Sequence, residues 1–178
     1  MVHYHCFSDT QILNKSYIYH YNSVLGNIIL ASNGDSLTGL WFDEQKYFPH
    51  KLISESLESE LPIFTQTCKW LDIYFSGKEP NFTPPINLNT TPFRKAVYDI
   101  LFTIPYGQTK TYGEIANIIA EQQDIQRMSA QAVGGAVGHN PISIIIPCHR
   151  VVGADGNLTG YEGGLDKKIA LLKLEMAL

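Results

Sequence analysis

The stretch Ile142-Ser143-Ile144-Ile145-Ile146-Pro147-Cys148-His149-Arg150-Val151-Val152 constrains this chain more than any other. An apolar run this dense belongs in the interior, and it ends on a proline that fixes φ and withholds a backbone donor. The run is therefore expected as a buried strand or extended segment that delivers Cys148 in a pre-set direction. A thiol on a stiff support beside a basic ring is a candidate nucleophile, because the thiolate is the reactive species and nearby positive charge stabilises it. The same residues also fit a buried structural cysteine, a common place for this side chain. The stretch alone leaves both readings open.

The chain before it reads as two parts. Tyr17-Ile18-Tyr19, Asn27-Ile28-Ile29-Leu30-Ala31 and Leu37-Thr38-Gly39-Leu40-Trp41-Phe42 are strand-like. Asn33-Gly34-Asp35 is a hairpin signal, because these residues tolerate positive φ. Residues 43–60 are polar and mix loop with helix. Pro62 suits the first turn of a helix. Phe64, Cys68, Leu71 and Phe75 then make one apolar stripe, which assigns Cys68 to the core and no chemistry. Gly77 ends that helix, and the proline-rich segment 78–89 reads as a linker. This predicts an N-terminal α/β supporting domain, 1–86, with an antiparallel sheet and a helix, and a C-terminal helical domain, 90–178.

Thr91-Pro92 opens a helix with an apolar stripe of Phe93, Ala96, Val97, Ile100, Leu101 and Ile104, stopped by Pro105-Tyr106-Gly107. Thr111 with Glu114 is a capping box for a helix from Tyr112 to about Ala120. Ser129 caps a third helix through Val137. Helix-turn-helix is the arrangement of many DNA readers, and on pattern alone a generic helical subdomain is the simpler reading. The third helix is rich in small residues, Ala130, Ala132, Gly134, Gly135, Ala136 and Gly138. Such a surface allows a very close approach, either by a neighbouring helix or by a ligand. Ala154-Asp155-Gly156-Asn157 is expected to close a hairpin between Val151-Val152 and Leu158-Thr159, and a glycine-rich loop follows. The last helix begins near Leu165, with Leu165, Ile169 and Leu172 as its stripe. Glu175 falls on the same face. It either frays into water or needs a partner, because burying an unpaired charge is costly.

Composition narrows the classes. The chain has 178 residues, 44% of them hydrophobic, enough for a sizeable core in one domain or two small ones. No apolar run reaches the roughly 20 residues that span a bilayer. No basic segment followed by an apolar one marks a secretory signal at the N-terminus. Three cysteines without a framework spacing point to a reducing, cytoplasmic setting. His3, His5 and Cys6 cluster near the start, with no second cysteine to complete a metal site, so a solvated terminus is expected there and no metal. The net charge of −4 is unusual for a DNA binder. It resides in the first half; residues 90–178 are neutral. DNA contact would then depend on local geometry, with modest non-specific affinity and a shallow salt slope.

Pro147-Cys148-His149-Arg150 resembles the active-site motif of the O6-alkylguanine-DNA alkyltransferases, suicide DNA-repair proteins. Three further blocks match that family in order. They are Ile104-Pro105-Tyr106-Gly107 with Thr111-Tyr112-Gly113-Glu114-Ile115-Ala116, then Ala132-Val133-Gly134-Gly135-Ala136 with Asn140-Pro141, then Gly160-Tyr161-Glu162-Gly163-Gly164-Leu165. The N-terminal half resembles it more loosely, through Gly26-Asn27-Ile28-Ile29-Leu30 and Leu71-Asp72-Ile73-Tyr74-Phe75-Ser76-Gly77. The resemblance implies an α+β protein: a ribonuclease-H-like N-terminal domain and a C-terminal winged helix-turn-helix-like domain whose small-residue helix enters the DNA minor groove. It implies double-stranded DNA carrying O6-alkylguanine as partner, no cofactor, no membrane, and a monomer. Some members bind zinc in the N-terminal region.

The roles it implies are specific. Cys148 is nucleophile and acceptor. His149 takes its proton through a water, and Glu175 orients and charges that histidine. Tyr112 donates to the leaving base at N3. Asn140 holds the active-site turn, where an ordinary Asn-Pro turn is the plain alternative. Backbone groups of Cys148, Val151 and the Tyr161-Glu162-Gly163 loop read a flipped base, whose extrusion costs a few kcal/mol. Ala130, Gln131, Ala132 and Gly134 face DNA. Two residues depart from the family pattern. Gln131 stands where an arginine usually fills the gap left by the flipped base, and Arg127, one helical turn earlier, is a candidate substitute; slower repair or weaker binding is expected. Glu162 stands where a small residue is frequent, and a carboxylate near phosphates adds to that weakness. Two rivals remain. A cysteine hydrolase is disfavoured because adjacent strand residues point to opposite faces. A non-catalytic damage sensor of the alkyltransferase-like kind is disfavoured by the presence of Cys148.

Overall fold

The structure, a computed structural model, describes residues 15–43, 45 and 47–178. The cluster His3, His5 and Cys6 lies outside the described residues. Strands β1 (Tyr17–Ser23), β2 (Gly26–Ser32) and β3 (Leu37–Phe42) form an antiparallel meander. Gly34, at φ 114°, turns the chain between β2 and β3 where the Asn33-Gly34-Asp35 signal places it. A short helix, α1 (His50–Glu55), leads into β4 (Leu57–Glu58), which joins β1 in parallel and gives the sheet order β3-β2-β1-β4. The sheet is therefore not purely antiparallel.

Alternation along β2 buries both faces, as period-two geometry requires. Ile28 and Leu30 join the main core, while Ile29 and Ala31 form a smaller cluster with Ile18 and Trp41, against which Phe48 and Ile53 pack. Helix α2 (Pro62–Phe75) covers the main face. Its buried side is Ile63, Phe64, Thr67, Trp70, Leu71 and Tyr74, so the expected stripe is rotated: Cys68 and Phe75 sit at its margin, partly buried.

In the second half, α3 (Pro92–Leu101) is capped by Thr91, whose hydroxyl accepts from Arg94 N. After β5 (Lys110–Thr111), the capping box of Thr111 and Glu114 starts α4 (Tyr112–Gln122). Ser129 caps α5 (Ala130–Gly138). Arg127 is not a turn earlier on that helix; it lies in the irregular segment ahead of the cap. One 3-10 turn covers Cys148–Arg150, and β6 (Val151–Val152) and α6 (Leu165–Leu174) complete the chain.

The run 142–146 is buried but is not a strand. It folds as consecutive turns, with Ile144 at φ 68°, an uncommon conformation for a β-branched residue. Asn140 makes this possible by taking backbone groups that a strand would otherwise have paired. Its Oδ1 accepts from Ile142 N at 3.0 Å, and its Nδ2 donates to Ile142 O at 3.1 Å and Ile146 O at 2.8 Å. The edge of β3 grips the same turn: Leu40 N donates to Pro141 O and Ser143 N to Leu40 O, both at 2.9 Å. The N-terminal sheet thus holds the cysteine turn directly, and one continuous core runs through both halves.

The expected hairpin after β6 also differs. Gly153 N and Asn157 O close the turn at 2.8 Å, but Leu158-Thr159 form no strand, and β6 pairs in parallel with β5. The ammonium of Lys168 takes the Val151 and Thr159 carbonyls instead, at 2.6 and 2.9 Å. Accordingly the buried face of α6 is Lys168, Leu171 and Leu172, continued by Glu175, while Leu165 is 48% exposed. Among the described residues no helix is long and apolar enough to cross a membrane.

Candidate active site

Cys148 begins the 3-10 turn and is buried. Its sulfur accepts from Asn140 Nδ2 at 3.1 Å, so the residue that shapes the turn also touches the thiol. Burial pushes the Cys148 thiol up to about 11, with the Asn140 amide and the Lys168 ammonium pulling it down. At neutral pH the group is a thiol, and it needs a base to become a nucleophile.

His149 follows immediately and is fully buried. Burial lowers its pKa, against the opposing pull of Glu175, so the ring is neutral at pH 7. Its Nε2 lies 2.7 Å from Glu175 Oε1. A carboxylate only accepts, so the ring proton sits on Nε2 and Nδ1 carries the lone pair. That Nδ1 is buried and has no hydrogen-bond partner among the described residues. The arrangement is a neutral base with one nitrogen committed and the other free, next in sequence to a protonated thiol.

Glu175 comes from the end of α6 and is 1% exposed. Five donors converge on it. Besides His149, Arg150 donates through Nε to Oε2 at 2.8 Å and through Nη2 to Oε1 at 3.0 Å; the Tyr74 hydroxyl donates to Oε1 at 2.6 Å; Gly107 N donates to Oε2 at 3.3 Å. Burial alone would raise the carboxyl, but the hydrogen bonds from His149 and Arg150 prevail and hold it at about 2. Arg150 balances its charge, which is what leaves His149 free to stay neutral. Gly107 is needed for this approach: it sits at φ 74°, and a Cβ there would lie 2.8 Å from Glu175 O.

Of the residues singled out from sequence, Asn140 and Cys148 form one hydrogen-bonded pair and His149 and Glu175 a second, and the backbone of the cysteine turn joins the two. Tyr112, half-buried at the start of α4, donates to Thr159 O at 3.2 Å. Tyr161 and Glu162 line a cleft against Cys148, Asn140, Val137 and Gly138. Gly163 follows them, and a Cβ there would meet the Tyr161 ring at 2.8 Å. Val151 is buried on β6, with its carbonyl engaged by Lys168. Ala130, Gln131 and Ala132 are exposed on α5, Gly134 faces the Tyr112 ring, and Arg127 is exposed ahead of the helix. These last residues stand apart from those buried pairs.

Three residues around the site escape the sequence reading. Tyr74 arrives from α2 and lies 3.3 Å from His149 Nε2 as well as bonding Glu175. Its position among Trp70 and Leu71 reads only as core. Arg150 stands inside the motif, but its neighbour His149 draws the attention. Lys168 is buried with a pKa lowered by that burial to about 8, and the Cys148 sulfur opposes the shift. The signal for it was present: Lys168 is seven residues before Glu175, two helical turns on one face.

Comparison with known proteins places these features in context. Residues 92–177 match the model described as 6-O-methylguanine DNA methyltransferase, DNA binding domain, and residues 17–88 match the ribonuclease-like domain of the same description. The chain is 43% identical over 159 residues to the methylated-DNA–protein-cysteine methyltransferase of Mycobacterium tuberculosis, covering 88% of this chain and 92% of that protein. It is 39% identical over 166 residues to the inducible methylated-DNA–protein-cysteine methyltransferase of Bacillus subtilis, covering 92% and 87%. Among solved structures, the Mycobacterium tuberculosis OGT in complex with DNA superposes with a TM-score of 0.76 at 41% identity, over 90% of this chain and 93% of that one.

Proposed function

The chain belongs to the 6-O-methylguanine DNA methyltransferase family, and from that membership we propose how its own residues carry the reaction. It is a DNA-binding, direct-reversal repair protein, a methylated-DNA–protein-cysteine S-methyltransferase that transfers the alkyl group to a cysteine of its own. Cys148 is that cysteine. A guanine bearing an O6-alkyl group is flipped from the duplex into the cleft before it, bordered by Tyr161, Glu162 and Gly163, with Val151 behind.

His149 accepts the thiol proton at Nδ1 through a bridging water, and Glu175 stabilises the imidazolium that results. The thiolate attacks the alkyl carbon, the carbon–O6 bond breaks, and the electron pair leaves with the guanine. Tyr112 supplies a proton at N3 of the departing base. The thioether is stable, so one molecule repairs one lesion. The observation that carries this reading is the free Nδ1 on a neutral, buried His149 beside a buried thiol. Ala130, Gln131, Ala132 and Gly134 meet the DNA, with Arg127 nearby. The two-part division at 1–86 and 90–178, a monomeric state and a cytoplasmic location complete the proposal.

Incubation with a duplex containing O6-methylguanine should add one methyl group, stoichiometrically, to the peptide that holds Cys148. Mass spectrometry that finds the peptide unchanged, or the methyl group elsewhere, refutes the assignment. A second outcome follows from Gln131, which supplies no positive charge. Gln131→Arg should raise the second-order repair rate on duplex DNA about threefold or more at low salt. An unchanged rate would refute the expectation that Gln131 slows repair.

A further inference from the structure

The cleft in front of Cys148 is closed. Only about 10 Å³ among Val137, Gly138, Asn140, Cys148, Tyr161 and Glu162 can hold the centre of a water molecule. That is at most the room for a single water, and a purine does not fit. Of the side chains that line the cleft, Glu162 is the one that reaches across to the end of α5. Its Oε1 rests against the end of α5 at Gly138, where even a Cβ would lie 2.9 Å away, so the missing side chain of Gly138 is the notch that receives the carboxylate. Its Oε2 is buried and has no hydrogen-bond partner among the described residues. A buried carboxylate oxygen without a donor is unfavourable. The closed arrangement is held by shape rather than by bonding. The loop that carries Glu162 is bounded by Gly160 at φ 67° and Gly164 at φ 97°, conformations that favour glycine and suit a small hinge.

We propose that Glu162 is a specificity-determining gate on this cleft: it swings off Gly138 to admit a base, and its carboxylate selects against O6-alkyl groups that carry a negative charge. The inference rests on the repair reading above and adds the substrate class that the site disfavours. The physical basis is like-charge repulsion in a poorly solvated space. A carboxylate that must pass the Glu162 carboxylate at the mouth of the cleft is opposed more strongly than in bulk water, whereas an uncharged methyl group meets only the steric barrier.

The test compares second-order transfer rates on duplexes containing O6-methylguanine and O6-carboxymethylguanine. The proteins are the wild type, Glu162→Gln, Glu162→Ala and Gly138→Ala. Glutamine keeps the size and removes the charge, so the methyl-to-carboxymethyl rate ratio, taken within each protein, should fall about tenfold. Alanine removes both, so the ratio should fall equally and both rates should rise. Gly138→Ala fills the notch and should raise the methyl rate with Glu162 still present. Normal methyl transfer with the same ratio in wild type, Glu162→Gln and Glu162→Ala overturns the gate and leaves the repair reading intact. Absence of any transfer by the wild type overturns both.

Discussion

Cys148→Ser should take up no alkyl group on the time scale of the wild type, a loss of about a thousandfold or more, yet still bind a duplex carrying the lesion. The substitution is nearly isosteric, and a hydroxyl accepts the Asn140 amide bond as the sulfur does. What changes is acidity. The thiol at about 11 is within reach of a neutral imidazole helped by Glu175, whereas an alcohol is not. Cys68 provides the contrast. Burial also lifts its thiol to about 11, but its charged neighbour is Asp72, which raises it further. Thiol acidity alone does not distinguish the two cysteines; the surroundings do. Intact-protein mass after exposure to the methylated duplex, together with fluorescence anisotropy of the same duplex, decides the matter. A serine variant that gains the methyl group would move the acceptor away from position 148.

The elements were largely legible in the sequence because their signals are local. The capping box of Thr111 and Glu114, the cap at Ser129, Pro62 and Pro92 at first turns, and the Asn33-Gly34 turn each act within a few residues. The core of the site was legible too, since Cys148, His149, Asn140 and Glu175 lie in matching blocks or on a readable face. What failed were features decided by distant partners. The run 142–146 looks extended by composition, but Asn140 and the edge of β3 consume its backbone bonds and fold it into turns. Leu158-Thr159 looks like a strand until Lys168 takes the Thr159 carbonyl. Tyr74 is indistinguishable from core by spacing, because only the tertiary fold brings a phenol from α2 to a carboxylate 101 residues away. The sequence places Glu162 in the base-reading loop with its carboxylate near phosphates, but the side chain's contact across the cleft depends on Gly138 lying opposite.

That convergence on one carboxylate sets the expectation for Glu175→Gln. The fold brings Tyr74 from the first half, Gly107 from the loop after α3, and His149 and Arg150 from the cysteine turn onto two oxygens. Glutamine preserves the shape but replaces one acceptor with an amino group that faces donors, and it leaves the Arg150 charge without its counter-ion. In the unfolded chain the carboxyl titrates at its ordinary 4.5; in the folded protein it is held at about 2. The folded state therefore binds that proton less readily. The stability it contributes is complete above pH 4.5 and is lost as the pH falls toward 2, an amount of about 3 kcal/mol. Glu175→Gln should be less stable than the wild type by about that much at pH 7, and the gap should narrow as both are acidified. Transfer should slow about a hundredfold, because the imidazolium formed on His149 loses its adjacent negative charge. Urea unfolding at intervals from pH 7 to pH 2 measures the first effect and single-turnover transfer the second. If the two proteins lose stability in parallel between pH 5 and pH 2, then Glu175 is not the group that couples the fold of this site to its charge.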